Sequence, residues 1–144
     1  MLNKSSGQSF LEVILAIALI SIVLITIVSL SSLSIRASVY SRQSTEAGRL
    51  SQQASEWLKS EKDSDWPIFK SHASASFWWC LDSLYWTNPG PCSPTEIVSG
   101  TPFTRTLVLI AHPDGSVEGK IETWWTNAQG LHNVTSSTVY TDWK

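Results

Sequence analysis

Between Val13 and Ile35 the chain carries 23 consecutive residues without an ionisable side chain. A helix needs about 20 predominantly apolar residues to cross the hydrocarbon core of a bilayer. A lone segment in lipid can satisfy its own backbone only as a helix. A secretory signal has a shorter apolar core, about 7–15 residues, followed by a small-residue cleavage site. This run is longer, and nothing like Ala-x-Ala follows it. Lys4 precedes it, with no acid before Glu12. That favours a cytoplasmic N-terminus with the remainder outside.

No Pro or Gly falls between Gln8 and Ala47, so the helix is expected to outlast the apolar run. After Arg36 the pattern becomes amphipathic. Tyr40, Ala47, Leu50, Ala54, Trp57 and Leu58 recur at helical spacing, with Arg42, Glu46, Arg49, Gln53 and Glu56 between them. Gly48 weakens the helix by about 1 kcal/mol relative to Ala. The pattern predicts one helix from about Gln8 to about Glu61, roughly 80 Å long at 1.5 Å per residue. The segment "EKDSDWP" is expected to end it, because Pro67 cannot continue a helix.

From Ser71 to Pro102 the composition turns to Ser, Pro, Gly and Thr, and "NPGPCSP" is turn chemistry. Cys80 and Cys92 lie there, on the oxidising side of the expected topology, and are predicted to form a disulfide. After Pro102 the period changes to two. "FTRTLVLIA" reads as a strand, "HPDG" as a turn, and "SVEGKIETWWT" as a second strand. In it Val117, Ile121 and Trp125 share one face, and Glu118, Lys120, Glu122 and Trp124 the other. "LHNVTSSTVYTDW" reads as a third strand with poor alternation. The fold class predicted is α+β: a long N-terminal helix, membrane-spanning in its first half and amphipathic in its second, packed on a small antiparallel meander.

The start of the chain resembles the leader of type IV pilins and pseudopilins. The residues that carry the likeness are Lys4, Gly7, Gln8, Ser9, Phe10, Leu11 and Glu12, followed by the run from Val13. Glu12 stands fifth after Gly7, as in that family. Gln8 occupies a position where members usually have Phe, and the family's proline in the first half of the helix is absent. The resemblance covers about the first third of the chain by motif and the rest by architecture alone. It implies a pilin-like division: leader 1–7, transmembrane or filament-core helix 8–35, amphipathic helix 36–62, irregular loop with the disulfide 63–102, and sheet 103–144.

The resemblance further implies cleavage after Gly7 by prepilin peptidase and N-methylation of the new terminus, Gln8. Glu12 would then pair with the amine of a neighbouring subunit. Pairing with its own amine is the alternative. The implied function is that of a structural subunit, a minor pilin or pseudopilin, in a type IV pilus-like filament. Its implied partners are the peptidase, other pilin subunits and membrane lipid. Its implied location is the cytoplasmic membrane, single-pass with the head outside, and then an extracellular or periplasmic filament. The rival readings are a type II secretion pseudopilin and an anchored Trp-rich binding or adhesion module.

The remaining residues add little chemistry. Trp78, Trp79 and Trp124 are the aromatics that a binding reading would expose, although packing explains most Trp residues. His72, His112 and His132 are scattered, and no nucleophile elbow, carboxylate pair or phosphate loop stands out. No enzyme activity, metal or cofactor is expected. The formal net charge of −2 gives no general basic field for nucleic acid. "NVT" at Asn133 matches a glycosylation sequon by pattern alone.

Overall fold

The computed structural model describes residues 6–73 and 77–142, with side chains from Phe10 onward. Lys4 therefore lies outside the described residues, and Gly7 and Gln8 are described by their helical backbone only. The first element, α1 (Ser6–Ser64), is a single helix of 59 residues. The chain divides into two compact units, Met1–Arg42 and Gln43–Lys144.

The first unit is the apolar part of α1. Three hydroxyls within it bond back to the helix: Ser21 Oγ donates to Ile17 O at 2.8 Å, Thr26 Oγ1 to Val23 O at 2.7 Å and Ser29 Oγ to Ile25 O at 2.9 Å. Such back-bonding satisfies a hydroxyl that finds no water around it.

The second unit places the remainder of α1 on a five-stranded antiparallel sheet of order β2-β1-β3-β4-β5. The strands are β1 (Phe77–Cys80), β2 (Asn88–Pro89), β3 (Thr104–Ala111), β4 (Val117–Asn127) and β5 (Gly130–Tyr140). The β3–β4 connection closes on Gly115, whose φ of 88° suits glycine, and Asp114 Oδ1 accepts from both Ser116 N and Ser116 Oγ.

The inner face of the sheet follows the alternation read in the sequence. Leu107 and Leu109 of β3, and Val117, Ile121 and Trp125 of β4, are buried with Ala47, Leu50, Ala54 and Leu58 of α1. Within this layer Ser51 Oγ and Thr123 Oγ1 form a buried hydrogen bond of 2.8 Å. Gly119 admits the helix closely. A Cβ there would lie 3.0 Å from the Tyr140 ring and 3.5 Å from the side chains of Leu58 and Leu109.

Several local expectations differ from the structure. Helix α1 continues to Ser64, and Pro67 opens a second helix, α2 (Trp66–Ser71). Asp65 caps α2, its Oδ1 accepting from Ile68 N at 2.9 Å, and Pro67 sits in the first turn, where its missing N–H costs nothing. The segment 63–102, expected to be irregular, thus contains α2, β1 and β2. Strand β1 gains its order from pairing with β3, a non-local contact that composition cannot show. Tyr40, placed on the apolar stripe by its spacing, is 44% exposed and belongs to the first unit. Strand β5, whose sequence alternates poorly, nevertheless alternates between half-buried and exposed positions from Gly130 to Ser137 at the edge of the sheet.

Candidate membrane and assembly segment

The first unit presents an apolar surface without cover. Every large hydrophobic residue from Phe10 to Ile35 is exposed, Phe10 at 68% and Ile35 at 65% among them. A soluble domain rarely leaves a contiguous apolar patch of more than a few hundred Å² in water. This segment is long and apolar enough to span a membrane, and none of its most apolar window is buried within the chain. Glu12 sits at its entrance, one helical turn from Gln8, and its side chain is exposed. The carboxylate is the only ionisable group between Lys4 and Arg36. It therefore stands alone at one end of an uncovered apolar surface.

The second unit supplies a head stapled on its outer side. Cys80 and Cys92 form the expected disulfide. The segment it closes carries Trp86 inward. Trp86 lies between Trp57, at 4.7 Å between ring centroids, and His72, stacked at 4.1 Å, with Trp79 edge-on at 5.2 Å. Its Nε1 donates to Glu61 Oε2 at 2.8 Å. The bridge thus anchors a loop whose aromatic plug fixes the end of α1. Replacing both cysteines by serine is expected to lower stability by about 3 kcal/mol, for a loop of this length. Denaturant unfolding of the detergent-solubilised chain, oxidised against double-serine, measures it.

Packing accounts for most of the tryptophans. Trp79 and Trp125 are buried, Trp57, Trp66 and Trp86 pack against the core, and Trp124 is half-buried. Of the candidates for an exposed aromatic surface, Trp78 stands out at 41% exposure. The adjacent pair Trp78–Trp79 splits between the two faces of β1, as an extended strand requires.

The histidines stand apart from one another in role. His72 stacks on Trp86, His112 Nε2 lies 3.4 Å from Glu118 Oε2, and His132 Nε2 lies 2.9 Å from Asn127 Oδ1.

One buried charge escaped the sequence reading. Arg105 is 1% exposed on the inner face, where its Nε donates to Leu81 O and its Nη1 to Leu50 O, both at 3.0 Å. Burial pushes its guanidinium down to about 10, an effect that Asp82 partly opposes. It remains a cation at neutral pH and ties α1, β3 and the start of the disulfide loop together. The signal was available: Arg105 falls between Phe103 and Leu107 in the inward register of its strand.

Beside Glu46, whose carboxyl the Arg49 hydrogen bond holds below its ordinary 4.5, two further surface carboxyls contribute to the response to acid. Asp114 is held below its ordinary 3.8, chiefly by the Ser116 hydroxyl, and Glu118 below its ordinary 4.5, chiefly by the Ser137 hydroxyl. A carboxyl whose folded value is depressed adds stability above its unfolded value and loses it as pH falls through the folded one. The contribution of these two groups is expected to decline below about pH 4.5, measurable as a falling melting temperature that Asp114→Asn and Glu118→Gln flatten.

No protein-family model, curated protein or solved structure matches the chain. Among the described residues the chain is α+β, with a span-length apolar helix towards its N-terminal end, an antiparallel sheet packed on the helix's second half, and a disulfide in the head.

Proposed function

We propose that the chain is a pilin-like filament subunit, a minor pilin or pseudopilin, inserted in the cytoplasmic membrane and assembled through α1. The observation that carries the reading is Glu12. It lies five residues after Gly7, at the start of an exposed apolar helix that continues into a folded head. A plain anchor has no use for a carboxylate there, since acids within membrane segments are costly and normally have a partner.

Prepilin peptidase supplies that partner by cutting after Gly7. The new amine on Gln8, free or methylated, is a cation at the same end of the helix. While the subunit waits in the bilayer, Glu12 stays near the interface, where its charge is tolerated. When the subunit enters a filament, a neighbour's amine neutralises it and the apolar side chains trade lipid for other copies of α1. Outside the cytoplasm, Cys80 and Cys92 of the head lose two electrons and two protons to the oxidants of that compartment and form the disulfide. The same leader serves pili and type II secretion pseudopili, so the reading fixes the assembly chemistry rather than the machine.

Mass spectrometry of the protein recovered from membranes tests the processing step. The mature chain is expected to begin at Gln8, unmodified or carrying one methyl group. A mature chain beginning at Met1 or Leu2 contradicts it.

A further inference from the structure

The two edges of the sheet are built differently. One ends in β2, only two residues long and containing Pro89. The other is β5, 11 residues long and paired with β4 in an unbroken register from Asn127↔Gly130 to Val117↔Tyr140. No described residue pairs with its outer edge. Proteins normally blunt such an edge with charge, proline, a bulge or a covering element. The β5 sequence, "GLHNVTSSTVY", contains no Lys, Arg, Asp, Glu or Pro, and its register has no bulge. Leu131 and Val139 on it are 66% and 59% exposed.

The edge also has a charged end. Lys59 and Lys62 of α1 border a groove of about 370 Å³ with Thr138, Val139, Tyr140 and Thr141. Lys62 is paired with Asp63 at 2.9 Å. Lys59 is exposed and has no ion-pair partner among the described residues. We propose that the open edge of β5 receives an extended segment of a different protein as an added antiparallel strand, with an acidic residue of that segment set against Lys59. Main-chain hydrogen bonds supply the affinity in such strand addition, and flanking side chains supply selection.

A second copy of this chain fits the edge poorly, and here the inference rests on the filament reading. A symmetric β5–β5 pairing needs a two-fold axis normal to the sheet, which reverses one copy's α1 relative to the other. Copies sharing one membrane or one polar filament have their helices in the same sense. Head-to-tail pairing instead sets β5 against β2, whose two residues include a proline.

The test uses the full chain in detergent and a synthetic peptide matching β5 in length, alternating valine and threonine, with two glutamates at its N-terminus. An antiparallel strand places those glutamates beside Tyr140 and Lys59. Hydrogen exchange of the β5 amides is the readout. Saturating peptide is expected to slow exchange about tenfold. A version with central prolines is expected to do nothing, and Lys59→Glu to require about three- to fivefold more peptide. Unchanged exchange at millimolar peptide, or equal protection by the proline version, overturns strand addition. An unaltered peptide requirement in Lys59→Glu overturns the acidic selection. Protection that grows with protein concentration in the absence of peptide assigns the edge to a second copy and overturns the proposal. A mature terminus at Met1 would remove the filament reading while leaving this exchange result to stand or fall alone.

Discussion

Glu12→Val is expected to be cut after Gly7 like the native chain and to be missing from filaments, with incorporation reduced at least about tenfold, equivalent to about 1.4 kcal/mol. The direction of this effect separates two accounts of assembly. Valine inserts into lipid more readily than glutamate, by about 3 kcal/mol near the centre of a membrane helix and less towards its ends. If apolar packing alone drove subunit addition, the substitution would leave assembly intact or improve it. If the carboxylate is what recognises a neighbour's amine, assembly fails although the segment has become more apolar. Gln in place of Glu12 keeps the shape and removes the charge, and is expected to fail in the same way. Fractionation followed by immunoblotting of sheared filaments measures both variants, with processing scored on the same gel.

Leu58→Ala is expected to have the complementary effect, leaving processing unchanged and destabilising the head by about 4 kcal/mol. Leu58 is fully buried, with Leu109 and Tyr140 in the same cluster, and its side chain lies directly over Gly119. A truncated side chain there leaves a void that cannot collapse easily, because Gly119 has no side chain to move into it. The cost therefore lies in the upper part of the range for such truncations. Against a total stability of about 5–15 kcal/mol the loss is large. The melting temperature of the detergent-solubilised chain should fall by more than about 10 °C. Together the two variants would separate two duties along α1, with Glu12 expected to act on entry into the filament and Leu58 on the stability of the head.

The elements legible in the sequence were those set by local rules. The apolar run from Val13, the heptad-like burial of Ala47, Leu50, Ala54 and Leu58, and the inward register of Val117, Ile121 and Trp125 all follow from periodicity, and each is found where expected. Cys80–Cys92 followed from the expected compartment and the short spacing. What was not legible depends on contacts distant in sequence. β1 is a strand because Trp78 and Trp79 pair with Val108 and Leu107. α2 exists because Asp65 caps it and Phe69 enters the core, a local cap that the proline signal obscured. The inward register of Arg105 was visible, but the carbonyls of Leu50 and Leu81 that satisfy it are brought to it only by the fold. For the candidate site, the position of Glu12 on an uncovered apolar helix was legible. The partner proposed for it, the amine of a neighbouring subunit, would come with assembly and not with the fold of one chain.

The central claim is that a carboxylate at a lipid boundary is neutralised by the cleaved terminus of an adjoining copy. A density map of the assembled filament, at a resolution that shows side chains, tests it most directly. The Glu12 carboxylate is predicted to lie within ion-pair distance of the Gln8 amine of a neighbouring subunit, inside a core of packed apolar helices. A map in which Glu12 faces water with no nitrogen beside it, or pairs only with the amine of its own chain, would contradict the account.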